Sequence, residues 1–277
     1  MTIQDSPQDL ADLRRAVALL ESPTITARLA NLVGSPLELA LKKMPDVVTR
    51  QINAAVHAAL EKSSQVALWS LGKGPQKRSA ILAHKVAAAA SGAVGGAFGM
   101  SALFVELPIS TTIIMRAVAD IAREEGFDLQ ALQTKQACIE VFALGGRSSA
   151  DDASETGYYV ARSFTAEAMR GLSQELAAIA AKKAAGAAVH MSPQQAGRWM
   201  ARLIEKVASR FGVVVTQKFA AQAVPVIGAV SGATINTLFT SYYQDMARGH
   251  FIVKRLENRY GHEAVKQAYQ ALALERR

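Results

Sequence analysis

Apolar residues recur along most of this chain at three- and four-residue spacing, and the runs between breaks read as helices. Leu10, Leu13, Val17 and Leu20 share one face, with Asp9, Asp12, Arg14 and Arg15 elsewhere, after a short polar tail over residues 1–8. Ser22-Pro23 stops this helix. A second runs from about Thr24 to Val33 and ends at Gly34, where Pro36 opens a third. Met44-Pro45-Asp46 is a break, with Asp46 placed to cap a long helix through Leu71. Gly72-Lys73-Gly74-Pro75 closes it.

The spacing then predicts a helix from Gln76 to Leu103, ended by Leu107-Pro108, and another from Ser110 to Glu125. Further helices follow over Asp128–Leu144, Ala153–Ala185 and, after Ser192-Pro193, up to Arg210. Gly212 reads as an interruption. Val213-Val214-Val215 resembles a strand, but flanked by helical patterns and lacking a partner it belongs to a helix. A final helical stretch follows Pro225 and breaks near Gly261. The expected fold is all-α: a single multi-helix bundle with glycine-rich central helical hairpins. Residues 1–23 form an N-terminal tail and short helix, and 24–277 the main helical domain.

The glycines give that picture its centre. Gly92 and Gly96 stack at i,i+4, with Gly95 and Gly99 beside them, and Gly228 and Gly232 repeat the spacing. Each glycine weakens a helix by about 1 kcal/mol relative to alanine. Rows of them are explained by close helix packing, since no Cβ keeps the backbones apart.

The same region tests for a membrane span. Between Lys85 and Glu106 lie twenty uncharged residues, enough to cross a bilayer. Alanine, glycine and serine make the segment only weakly apolar. A turn at Glu106 to Pro108 would also return a helix carrying Arg116 and Asp120 through the same bilayer. A hairpin buried in protein fits better, with Arg116, Asp120 and Arg123 as structural ion-pair formers and Glu106 converging on Arg116.

Charge then shifts attention to the surface. Lys plus Arg exceed Asp plus Glu by 31 − 23 = 8, an excess that attracts anionic lipid or nucleic acid. Arg198, Arg202, Lys206 and Arg210 recur every four residues as a basic ridge, beside an apolar ridge of Trp199, Leu203, Val207 and Phe211. A basic face next to an apolar face with an aromatic is the build of an interfacial helix. The alternative is that Trp199 and its neighbours face the core while the cations meet water. Lys73, Lys77 and Arg78 form a second basic group with no acid among them. No recognition-helix signature accompanies this charge, so nucleic acid is disfavoured. The N-terminus has no signal-peptide pattern, and the single cysteine, Cys138, fits a reducing compartment as a small buried hydrophobe. The expected location is cytoplasmic, at the inner face of the membrane.

Candidate chemistry is sparse. His57, His84, His190, His250 and His262 form no metal-ligand spacing, and Asp151, Asp152 and Glu155 read better as a favourable helix start than as a cation site. The glycine run lacks the lysine and hydroxyl of a phosphate loop. No cofactor or metal is expected. The weak catalytic candidates are Glu106 and His84, which flank the oily segment and could act as acid and base on an apolar or lipid-like substrate.

Taken together, several stretches resemble the EcsC protein family. They are His84-Lys85, Ser91-Gly92-Ala93-Val94-Gly95-Gly96, Glu106-Leu107-Pro108, Met115 through Arg123, Glu140-Val141-Phe142, Gly145-Gly146 and Glu155 to Tyr159. Arg210-Phe211-Gly212, Ala220 to Gly228 and Ala247 through Phe251 with Arg255-Leu256-Glu257 complete the set. The resemblance covers residues 25–262. It implies an all-helical protein of bacterial type, linked to membranes and to a secretion-associated transporter, and it carries over no catalytic residues. The leading expectation is a peripherally membrane-associated protein that binds anionic lipid or a membrane partner such as a transporter. An enzyme using Glu106 and His84 and a non-catalytic homo-oligomeric scaffold are the other two readings.

Overall fold

The computed structural model describes residues 2–65, 100–145, 157–184, 192–224 and 228–276. Within them the chain is helical, and no strand occurs among the described residues. The helices are α1 (Pro7–Leu20), α2 (Ile25–Val33), α3 (Ser35–Lys42), α4 (Asp46–Ser63) and α5 (Met100–Glu124). They continue as α6 (Leu132–Glu140), α7 (Gly157–Ala184), α8 (Pro193–Gln222), α9 (Gly228–Tyr260) and α10 (His262–Leu274). The all-α bundle is thus the fold.

Helix α9 is the axis. It packs against α1, α5, α8 and α10, while α4 closes the other side against α5 and α8. Its buried positions, Ile235, Phe239, Tyr242, Tyr243, Met246, Ala247, His250 and Phe251, step by three and four and so line a continuous stripe. Leu13, Val17 and Leu20 of α1 seal one side, as their spacing predicts. Gly249 makes that approach possible: a Cβ there would lie 2.5 Å from Leu20 Cγ. Helices α5 and α9 run parallel, since Glu106 meets Asn236 near their starts and Glu124 meets Arg248 further on. Helix α8 is antiparallel to α9, with Lys218 over Phe239 and Phe211 against Tyr243.

Several sequence boundaries are corrected. Pro108 does not end a helix; it sits inside α5, so no hairpin turn exists at residues 106–108. An interior proline costs about 3 kcal/mol, but α5 is packed by α4 and α9 and that packing prevails. Locally, the Ser110 hydroxyl donates to Leu107 O (3.2 Å) and the Thr112 hydroxyl to Pro108 O (2.7 Å). Gly212 does not interrupt α8, because it is buried in helix against Asn53 of α4. Val213 to Val215 are helical, as expected. Asp46 is the first helical residue of α4 rather than its cap, a place taken by Pro45. The start of the chain is not simply a tail: Ile3 is buried in a short 3-10 turn and Ser6 caps α1.

Residues 66–99 lie outside the described residues, and with them Lys73, Lys77, Arg78, His84, Gly92, Gly95, Gly96 and Gly99. Gly228 and Gly232 fall in helix α9.

Candidate functional site

Two places concentrate charge: a polar layer inside the bundle and a ridge along α8. The interior layer is built where α5, α8 and α9 meet. Glu106, the candidate base, is buried, and its Oε1 accepts from Lys218 Nζ at 2.6 Å and from Asn236 Nδ2 at 3.0 Å. Lys218, only 2% exposed, also lies over the Phe239 ring at 5.2 Å. Ser110, Thr111, Thr240 and Gln244 extend the layer along α5 and α9. Glu106 therefore does not converge on Arg116, which is exposed ten residues further along the same helix. Asp120 instead pairs with Arg123 at 3.5 Å.

Chemically, this arrangement is a charge-balanced clamp. One carboxylate oxygen holds two donors from two other helices, so removing either charge strands the other in an apolar interior. Sequence reasoning missed Lys218 and Asn236. The signal was there for Lys218: Val207, Phe211, Val214 and Lys218 follow one core-facing register, so the lysine stands where an apolar side chain belongs.

A second, partly buried cluster ties α7 to α9 and α10. Arg162 forks onto Glu257, Nη1 to Oε1 at 2.7 Å and Nη2 to Oε2 at 3.0 Å. The hydroxyl of Tyr159 and the ring of His262 also reach Glu257 Oε1. Burial works to raise the Glu257 carboxyl, but the Arg162 fork and His262 outweigh it and hold the group below its usual range. His250 is fully buried; its Nδ1 lies 3.0 Å from the Tyr158 hydroxyl and its Nε2 3.7 Å from Glu140 Oε2. Burial, then the nearby Lys254 and Arg162, push the imidazole well below the ordinary histidine range, so it is neutral. Cys138 is buried and burial raises its thiol, which keeps it protonated and unreactive. Among the described residues, no three His, Cys, Asp or Glu side chains are gathered as metal ligands would be.

The α8 ridge divides along its length. Leu203, Val207 and Phe211 face the core. Arg198 and Arg202 are exposed and Lys206 is half-buried, but Arg210 is 8% exposed and belongs to the interior. The ridge is therefore shorter than the four-residue repeat predicts, because α7 covers its C-terminal end. Trp199 is half-buried, set on Gly171 of α7, where a Cβ would come 2.5 Å from the indole. Arg202 lies 4.9 Å over the Trp199 ring. Lys206 and Arg210 lie 4.3 Å and 4.5 Å from the centre of Phe164, also on α7. Phe164 precedes Gly171 by seven residues, two turns of the same helix face. A seam of two aromatics between α7 and α8 thus carries three cations. Among the described residues, no carboxylate pairs with Arg198, Arg202 or Lys206. Among the described residues, too, no helix is long and apolar enough to cross a membrane.

No curated protein and no solved structure matches this chain. The match to a family is extensive: from Asp9 in α1, through the clamp of Glu106, Lys218 and Asn236, to Leu256 in α9, residues 9–256 place the chain in the EcsC protein family.

Proposed function

We propose that this is a peripherally membrane-associated protein that uses the exposed end of α8 to hold an anionic bilayer surface, on the cytoplasmic face. The observation that carries this reading is the set of cations that meet no carboxylate among the described residues, Arg198, Arg202 and Lys206, flanking a half-buried Trp199. A cation near an anionic leaflet contributes about 1 kcal/mol. A tryptophan at its side suits the level of the headgroups, where one edge of the ring is apolar and the other wet. The net charge of +8 favours the same partner at longer range. A link to a transporter in that membrane, and through it to secretion, is the wider setting this reading fits.

Flotation of the full chain with phosphatidylcholine vesicles, with and without phosphatidylglycerol, tests it. Binding only to the anionic vesicles, weakening as salt rises, is the expected result. A protein that stays at the bottom of the gradient with both would end the proposal.

A further inference from the structure

The seam between α7 and α8 is more specific than attraction to negative charge requires. We propose that it is a headgroup site for lipids ending in a phosphate monoester, with the phosphate seated between Arg202 and Lys206. This inference rests on the membrane-surface reading above and names the lipid class that surface selects.

Four observations lead there. First, Arg202 holds its guanidinium carbon over the Trp199 ring at 4.9 Å. A guanidinium carries a planar fork of N–H donors, and that fork is what grips a phosphate with two parallel hydrogen bonds. Second, Arg202 and Lys206 stand four residues apart on α8, which brings their Cβ atoms to about 5–6 Å. One phosphate can reach both. Third, no described carboxylate neutralises either cation, whereas the arginines of α9 that face α1 and α5 have acids beside them. Fourth, the aromatics are themselves fixed. Trp199 is seated on Gly171, and Phe164 lies under Lys206 and Arg210, so the donors are positioned before a ligand arrives.

Valence selects among anionic lipids. A phosphate monoester carries roughly −1.5 to −2 charges at neutral pH, whereas the diester of an ordinary glycerophospholipid carries one and buries it between two substituents. Two adjacent cations and a fork of donors fit the terminal, more highly charged group.

The test uses the full chain and two vesicle sets matched for zeta potential, one containing phosphatidic acid and the other phosphatidylglycerol. Wild-type protein should bind the phosphatidic acid vesicles about tenfold more tightly, the gain of one charge-assisted fork. Arg202→Lys keeps the charge and removes the fork. That variant should lose most of the preference, binding the phosphatidic acid vesicles no more than about twofold more tightly than the phosphatidylglycerol ones. Equal wild-type binding to both sets would overturn the monoester site and leave the general surface reading standing. A preference unchanged in Arg202→Lys would also overturn it, by placing recognition elsewhere. Binding to neither set would remove both readings. Saturable binding of inorganic phosphate with no difference between vesicles would replace the lipid by a soluble anion and so overturn the site as proposed.

Discussion

Helices α8 and α9 both carry rows of cations, and they use them in opposite ways. On α9 the positive side chains are matched: Arg248 meets Glu124, Arg255 reaches Asp12 and Glu125, and Arg259 binds Asp9. These pairs fasten α1 and α5 to the central helix. On the outer half of α8 Arg202 and Lys206 rest on aromatic rings, and neither they nor Arg198 meet a described carboxylate. Further along the same helix, Lys218 is paired and buried. Charge placed near acids serves the fold, whereas Arg202 and Lys206, on rings and with no described acid beside them, are available to something outside it.

That contrast breaks first at its most buried member. Lys218→Met should leave Glu106 without its counter-ion in the interior and lower unfolding free energy by about 3–5 kcal/mol, read from chemical denaturation. Pairing it with Glu106→Leu should restore most of the loss, because two apolar side chains need no partner. A single variant as stable as wild type would mean that the clamp contributes nothing.

Reversing the outer cations should do the converse. Arg198→Glu with Arg202→Glu should cost roughly 2–4 kcal/mol of binding to phosphatidylglycerol vesicles and shift thermal stability by less than about 0.5 kcal/mol. Loss of stability equal to the loss of binding would erase the distinction between the two rows.

His250 sharpens the comparison by pH. Its native form resists protonation, whereas the unfolded chain takes a proton near the ordinary value of 6.5. The unfolded state therefore binds more protons below that value, and stability should fall as pH drops from about 7 towards 5, by up to about 1.4 kcal/mol per unit. The native carboxylate of Glu257 is also shifted down, so its contribution is present above its ordinary value of 4.5 and is lost only in more acid solution than that of His250. Denaturation midpoints of His250→Phe should be flatter between pH 7 and 5 than those of wild type. The smallest effect belongs to Arg259, whose side chain is 65% exposed. Arg259→Ala should cost about 0–1 kcal/mol despite its 2.7 Å contact with Asp9, measurable by the same denaturation.

Much of the fold was legible because helical periodicity is local. The stripe of Leu13, Val17 and Leu20 needed nothing beyond its own spacing. Pro108 and Gly212 misled for the same reason: both look like breaks within a few residues, and both are overruled by helices packed from elsewhere in the chain. The ridge on α8 was visible as a repeat, but its end was not, since Arg210 is covered by Phe164 forty-six residues earlier, 210 − 164 = 46. Glu106 was singled out as an isolated charge beside an oily run. Its partners were not, because Lys218 and Asn236 lie 112 and 130 residues away and only the three-dimensional arrangement brings them together.

Pro108 and Glu106 have a joint mechanical consequence. A proline lacks the N–H that would close onto the carbonyl four residues back, so the rung spanning Phe104 and Pro108 is missing from the α5 ladder. The compliant point of the helix therefore sits two residues past the side chain that binds it to α8 and α9. The missing rung and the strongest anchor of α5 thus occupy the same turn, and the Glu106 contacts hold the helix where its own ladder is weakest.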